Sequence, residues 1–185
     1  AREAAIVKGP VVAAMGAGID VMRPNGNMVV DIGGGITEIA SLSMGGIVVS
    51  QTLKTAGDAF NEAIVRYTAE TFGLYIDRKT AEKLKTEIGS THFRGEPLTR
   101  KEVKGRDIDA GFPRRVTLTS DHIREALAPE IRTIVTAVCN IIEKTPPDLA
   151  SDIAGRGIVI AGGGAQIAGL EDAIERATGM RTILC

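Results

Sequence analysis

Two apolar, strand-like runs in this chain each stop at three consecutive glycines: Met28-Val29-Val30-Asp31-Ile32-Gly33-Gly34-Gly35 and Gly157-Ile158-Val159-Ile160-Ala161-Gly162-Gly163-Gly164. A triple glycine removes every Cβ from a bend and leaves positive φ open, so backbone N–H groups can close on a bound anion or ring. Only the first junction carries a carboxylate at its strand end, Asp31, with Thr37 and Glu38 following. The pair suggests a nucleotide held by its phosphates at one bend and by its base at the other.

The surrounding pattern is that of an α/β chain. Pro10 opens a short apolar helix over Val11–Gly18, and Arg23-Pro24-Asn25-Gly26 reads as a turn. Met28–Ile32, Glu38–Ser43 and Ile47–Leu53 read as three strands of a meander, with Gly45-Gly46 as the second turn. The period then changes. Phe60, Ala63, Ile64, Tyr67 and Thr71 follow helical spacing behind Asp58, a good N-cap type, and the helix stops near Gly73. A second helix runs from about Asp77 to Gly89, with Ala81, Leu84 and Ile88 inward.

Polar, basic alternation through 91–119 reads as a hairpin or a strand pair. Ser120 or Asp121 then caps a long helix striped by Ile123, Leu127, Ile131, Ile134, Val138 and Ile141, with a kink expected at Pro129 and an end at Pro146-Pro147. A brief helical turn near Leu149–Ile153 precedes the second glycine junction. A last helix closes at Gly179, before a strand-like Met180–Leu184. Interleaved strands and helices argue a mixed sheet with flanking helices. The charged stretch from about residue 73 to 119 reads as a smaller inserted subdomain, with a nucleotide site between the two parts.

Composition removes several partners. Formal net charge is −1, so nothing suggests electrostatic capture by DNA or by an anionic membrane, and aromatics at 3% with no Trp argue against a base-stacking platform. No apolar run reaches the ~20 residues of a membrane span. Cys139 and Cys185 lack metal-ligand spacing; Cys139, among Val138, Ile141 and Ile142, reads as a small buried hydrophobe in a reduced cytosolic setting. The chain starts at Ala1 and stops at Cys185, and both ends read as cuts through a larger protein.

Five segments carry candidate chemistry. In the first, Gly33, Gly34 and Gly35 supply N–H donors to phosphate oxygens and Asp31 holds Mg2+ through water; a plain tight turn is the bland reading. In the second, Gly162, Gly163, Gly164 and Ala165 lie under adenine or ribose, or else serve close strand–helix packing. In the third, Glu82 and Lys85 share one helical face and reach a ribose or base edge. Spacing alone favours a solvated face there, with an ordinary Lys83–Glu87 ion pair. The fourth is Gly57-Asp58, a helix start that also faces phosphate or sugar. The fifth is a basic set, Arg94, Arg100, Lys101, Lys104, Arg106, Arg114 and Arg115, which reads as a solvated face or a protein contact. His92 and His122 stand apart from any ligand pattern. There is no Gly-x-x-x-x-Gly-Lys-Ser/Thr, no Gly-x-Gly-x-x-Gly (Glu38 and Ile167 occupy the required positions) and no Gly-x-Ser-x-Gly.

Taken in order, these segments resemble the actin-like ATPase superfamily and, within it, the C-terminal half of the MreB family of bacterial cell-shape actins. Residues 13–18, 28–38, 57–64, 81–89, 147–153 and 162–165 carry the likeness. Lys85-Thr86-Glu87-Ile88-Gly89 and Pro147-Asp148-Leu149-Ala150-Ser151-Asp152-Ile153 are its most specific stretches.

The resemblance implies an actin-like (ribonuclease-H-like) second lobe. Residues 1–67 and 120–185 would form the IIA-like nucleotide-binding lobe and 68–119 the inserted α+β IIB-like subdomain. The first lobe (IA/IB) would be absent from this chain. Asp31 becomes the metal-site carboxylate, and Gly33 to Thr37, with Ile36 between, the phosphate loop. Glu82, Lys83, Leu84, Lys85 and Gly162–Ala165 contact the nucleoside. ATP and Mg2+ are the implied cofactors, and homopolymer filaments the implied assembly.

The implied setting is the cytoplasm at the inner face of the plasma membrane. The implied partners are the cell-wall elongation machinery and a membrane-bound adaptor, with membrane contact through the absent lobe. Slow, polymerisation-coupled ATP hydrolysis belongs to the full-length parent, because phosphoryl transfer needs clamping from both sides. Two departures stand out: Thr-Thr after the triplet is Ile36-Thr37 here, and Glu-Glu-Pro is Lys8-Gly9-Pro10. A small-molecule kinase and a chaperone-type ATPase of the same superfamily are the alternatives.

Overall fold

In a computed structural model of the protein, residues 7–91 and 98–185 are described; His92 and Arg94 lie outside them. A short helix, α1 (Gly9–Gly16), begins with Pro10 in its first turn, where a missing N–H costs nothing. Strands β1 (Asn27–Ile32), β2 (Thr37–Ser43) and β3 (Gly46–Leu53) form the expected antiparallel meander. Its second turn is Met44-Gly45 rather than Gly45-Gly46, and both residues have positive φ (51° and 72°). Two positive-φ residues match the right-handed twist of the flanking strands.

β1 is central. It pairs antiparallel with β2 on one side and parallel with β7 (Ile158–Ala161) on the other, and β7 pairs parallel with β8 (Thr182–Leu184). The five-stranded order is β3-β2-β1-β7-β8. A central strand needs both faces apolar. Met28, Val30 and Ile32 of β1 join the main core on one face, while Val29 faces a second cluster with Val11 and Ala14 of α1 and Val21. Edge strand β3 alternates between exposed and half-buried residues, as a strand covered on one face does.

Helix α2 (Gly57–Phe72) and the long helix α4 (Ser120–Lys144) pack together over the main-core face. Gly73, with φ 58°, ends α2 in the left-handed conformation that glycine adopts without penalty. The N-cap of α2 is Ala56, not Asp58, for a reason given below. The N-cap of α4 is Thr119, one residue before the expected Ser120 or Asp121. Its side chain accepts from the His122 amide, and the His122 side chain accepts from the Thr119 amide. Helix α4 runs 25 residues as one element across Pro129. Pro147 does not merely end it: with φ preset, it opens the next helix, α5 (Pro147–Arg156), which is ten residues rather than a brief turn. Cys139 on α4 is half-buried rather than buried.

Between α2 and α4 lie β4 (Leu74–Tyr75), α3 (Arg78–Ile88), β5 (Arg100–Asp107) and β6 (Pro113–Thr119). Asp77 caps α3 by accepting from the Thr80 amide at 2.7 Å. The three strands form a separate antiparallel sheet, β4-β5-β6. The two-residue β4 is too short to carry an alternating pattern, so sequence reading misses it. The apolar residues of this part, Leu74, Ala81, Leu84, Val103 and Leu118, belong to the same buried cluster as Phe60 and Ile123. Helix α6 (Leu170–Thr178) closes the fold before β8.

Candidate functional site

Parallel pairing of β1 with β7 sets the register Asp31↔Ala161, which brings the two glycine bends side by side at the carboxyl ends of neighbouring strands. In open α/β sheets ligands bind outside such strand ends. The approach is close. A Cβ on Gly162 would overlap the Ile32 carbonyl oxygen and lie 2.6 Å from Asp31 Oδ1, and one on Gly164 would lie 2.5 Å from Ile32 Cγ2. Gly162 itself has φ 89° and ψ 165°, a region open in practice only to glycine.

The first bend is tied to α2 by a non-local cap. The Gly57 amide donates to the Gly33 carbonyl at 3.0 Å and the Asp58 amide donates to the Gly34 carbonyl at 2.7 Å. These bonds satisfy two of the orphan donors at the start of α2, so the helix needs no capping side chain. They also aim the loop. A trans peptide is planar, with its C=O and following N–H on opposite sides. Carbonyls 33 and 34 point at α2, so the amides of Gly34 and Gly35 point the other way. Neither amide has an acceptor among the described residues. Both residues are exposed, and a Cβ on either would meet nothing within 4 Å. Two adjacent N–H donors therefore face open space beside Asp31. The half-buried carboxylate of Asp31 has no hydrogen bond or ion pair among the described residues.

The remaining candidates divide. Gly33 N–H donates to the Ile36 carbonyl at 3.0 Å, so it closes the turn and is not free; none of Gly33, Gly34 and Gly35 uses positive φ. Ile36 is exposed, whereas Thr37 is fully buried and its hydroxyl donates to the Thr55 carbonyl at 2.6 Å, turned away from the bend. The amides of Gly57 and Asp58 are occupied by the loop carbonyls, and the Asp58 side chain pairs with Arg78 at 3.0 Å. In the second bend Gly162 and Gly163 are exposed, while Gly164 and Ala165 are packed. Close packing accounts for Gly162 and Gly164, where a Cβ would overlap neighbouring atoms, and Gly163 is left open.

Glu82 and Lys85 do not form a solvated face. The Lys85 side chain is 8% exposed, and its Nζ donates to Glu82 Oε2 at 2.6 Å and to the Gly57 carbonyl at 3.2 Å. Asn61 Nδ2 donates to the same Glu82 Oε2 at 2.6 Å. The Lys85 hydrogen bond holds the Glu82 carboxyl below the ordinary glutamate range, opposed by partial burial and helped by Asn61. Glu82 remains half exposed, and its Oε1 takes no bond from the described residues. Lys83 and Leu84 part company: Lys83 is exposed and pairs with Glu87 at 3.8 Å, and Leu84 is core. Asn61 escapes a motif search. Its signal is a polar residue on the inner face of α2, between Phe60 and Ala63-Ile64. Its Oδ1 is buried without a partner.

A donor set of two free amides, one unpaired carboxylate and two exposed glycines on the adjoining strand fits a polyphosphate with its divalent cation. The amides suit phosphate oxygens, and a lone carboxylate suits a cation that keeps most of its water. Among the described residues, no cluster of three or more His, Cys, Asp or Glu is placed to hold a metal by itself, and no helix is long and apolar enough to cross a membrane.

Comparison with known proteins sets these features in context. A family model described as MreB/Mbl protein matches residues 1–185. The cell shape-determining protein MreB of Escherichia coli (strain K12) is 44% identical over 184 residues, which span 100% of this chain and 53% of that protein. The cell shape-determining protein Mbl of Bacillus subtilis (strain 168) is 44% identical over 162 residues, 88% of this chain and 48% of that protein. The chain thus spans about half the length of these relatives. Among solved structures, MreB5 of Spiroplasma citri bound to ADP superposes with a TM-score of 0.91 at 36% identity, covering 95% of this chain and 53% of that one. A MamK chain determined as a double helical filament superposes with a TM-score of 0.73 at 20% identity, covering 95% of this chain and 53% of that one; this likeness concerns the fold alone.

Proposed function

This chain belongs to the MreB/Mbl family, and from that premise we propose that it is the nucleotide-binding second lobe of an ATP-binding, filament-forming bacterial actin homologue that maintains cell shape. Residues 1–67 and 120–185 serve as the IIA-like part and 68–119 as the IIB-like insert. The observation that carries the reading is the outward aim of the Gly34 and Gly35 amides beside the unpaired Asp31 carboxylate. Supporting it, the MreB5 structures of Spiroplasma citri hold AMPPNP in one case and ADP in another.

Gly34 and Gly35 donate to phosphate oxygens, and Asp31 holds Mg2+ through water. Glu82, through Oε1, and the exposed glycines 162 and 163 face the nucleoside. Mg2+ supplies charge neutralisation of the phosphates when bound. This chain's own residues bind and orient; the hydrolytic step needs a second wall of the cleft. Self-association, a position under the inner membrane face and contact with wall-synthesis machinery follow from family membership as parts of the same proposal.

Two measurements on the full-length protein test it. ATP with Mg2+ should bind by calorimetry and should drive the protein into sedimenting filaments. Absence of both sinks the proposal. Fast phosphoryl transfer to a sugar or acid with no polymer would replace it with the small-molecule kinase.

A further inference from the structure

We propose that Lys85 is a positioning residue that braces the phosphate-facing loop through α2. The proposal rests on the phosphate-facing reading of Gly34 and Gly35. Its basis is a continuous chain of bonds. Asn61 and Lys85 both donate to Glu82 Oε2, each at 2.6 Å. Lys85 Nζ reaches the Gly57 carbonyl at 3.2 Å. The Gly57 amide holds the Gly33 carbonyl at 3.0 Å, and the Asp58 amide holds the Gly34 carbonyl at 2.7 Å. Those last two bonds are what turn the Gly34 and Gly35 amides outward.

Burial decides Lys85's role. A buried ammonium with two good acceptors has its charge compensated within the protein. Those two bonds commit two of its three N–H donors to the protein. Glu82 differs, because it commits only Oε2 inward and keeps a half-exposed carboxylate with Oε1 open. At Gly57 the three elements meet: a Cβ there would stand at an ordinary 3.5 Å from Lys85 Nζ and a tight 3.3 Å from the Gly33 carbonyl oxygen. Glu82 thus holds the brace through Oε2 while Oε1 stays open, which couples the nucleoside side of the site to its phosphate side.

Lys85→Met in the full-length protein keeps the side chain's length and removes its charge. Amide hydrogen exchange of the unliganded protein should show about tenfold faster exchange at Gly57 and Asp58, with Leu127 and Ile134 of α4 unchanged. By calorimetry, affinity for ATP and for inorganic tripolyphosphate should fall about tenfold, while affinity for adenosine falls by a smaller factor. Glu82→Gln, at a half-exposed position, should give a smaller increase in exchange at the same two amides, and it decides the matter should Lys85→Met fail to fold. Unchanged exchange at Gly57 and Asp58 in the variant that folds overturns the brace. An equal loss for adenosine and ATP with tripolyphosphate binding unchanged overturns it too, because Lys85 would then act at the nucleoside alone. If the wild type binds neither ATP nor tripolyphosphate, the phosphate-facing reading falls, and the exchange measurement still decides whether Lys85 holds α2.

Discussion

Adding one side chain at Gly34 and another at Gly162 should separate ligand binding from folding. At Gly34 a Cβ meets no protein atom within 4 Å, and the residue does not use positive φ. Gly34→Val should therefore leave the thermal midpoint of the chain within a degree or two. It should nevertheless obstruct the approach of a phosphate to the Gly34 and Gly35 amides. Loss of one charge-assisted hydrogen bond of about 1.5–3 kcal/mol corresponds to roughly 10- to 150-fold weaker ATP binding.

Gly162→Ala acts in the opposite way. A residue with a Cβ at φ 89°, ψ 165° carries about 1–3 kcal/mol of strain. Overlap with the Ile32 carbonyl and Asp31 Oδ1 adds an overpacking cost of about 1–3 kcal/mol. At about 2–4 °C per kcal/mol for a chain of this size, the sum lowers the melting temperature by roughly 4–24 °C. The assays are thermal melting by circular dichroism for the chain and calorimetric ATP titration of the full-length protein. A Gly34→Val protein that binds ATP as tightly as wild type refutes the placement of phosphate. A Gly162→Ala chain that melts at the wild-type temperature refutes the close packing of the two bends.

Asp31→Asn should fold normally, since the carboxylate has no partner among the described residues, and should abolish most of the gain in ATP affinity that Mg2+ provides; an unchanged gain removes Asp31 from the metal site. The Tyr67 hydroxyl donates to Glu125 Oε2 at 2.7 Å, and burial together with Glu125 pushes its pKa up to about 12. A phenol pKa raised by folding gives stability that is full below about pH 10, the unfolded value, and is lost as pH rises through 12. Glu125→Gln should shift the Tyr67 transition at 295 nm to lower pH, and a transition that stays put refutes the link. Phe60 is fully buried in the core shared by the two sheets, so Phe60→Ala should cost about 3–5 kcal/mol by denaturant titration; a cost under 1 kcal/mol contradicts a shared core.

Local structure was legible along the chain, because the signals for it are local. A continuous apolar run gave β1, shorter runs around a glycine turn gave β2 and β3, helical stripes gave α2 and α4, and each glycine triplet marked a bend after a strand. Even the failures were local competitions. The cap of α4 moved to Thr119 because His122 could reciprocate, and the hairpin turn shifted by one residue to use two positive-φ positions. Asp58, a good cap by type, lost that role because the Gly33 and Gly34 carbonyls supply the acceptors from another part of the chain.

Which chemistry is free depends instead on long-range packing. Parallel pairing across about 130 residues sets Asp31 beside Ala161, and no pattern within either strand encodes that register. Other long-range contacts take the hydroxyl of Thr37 and the ammonium of Lys85 inward, and leave the Gly34 and Gly35 amides facing open space. A polar group is available to a ligand only when no neighbour has claimed it, and its neighbours come from distant parts of the chain.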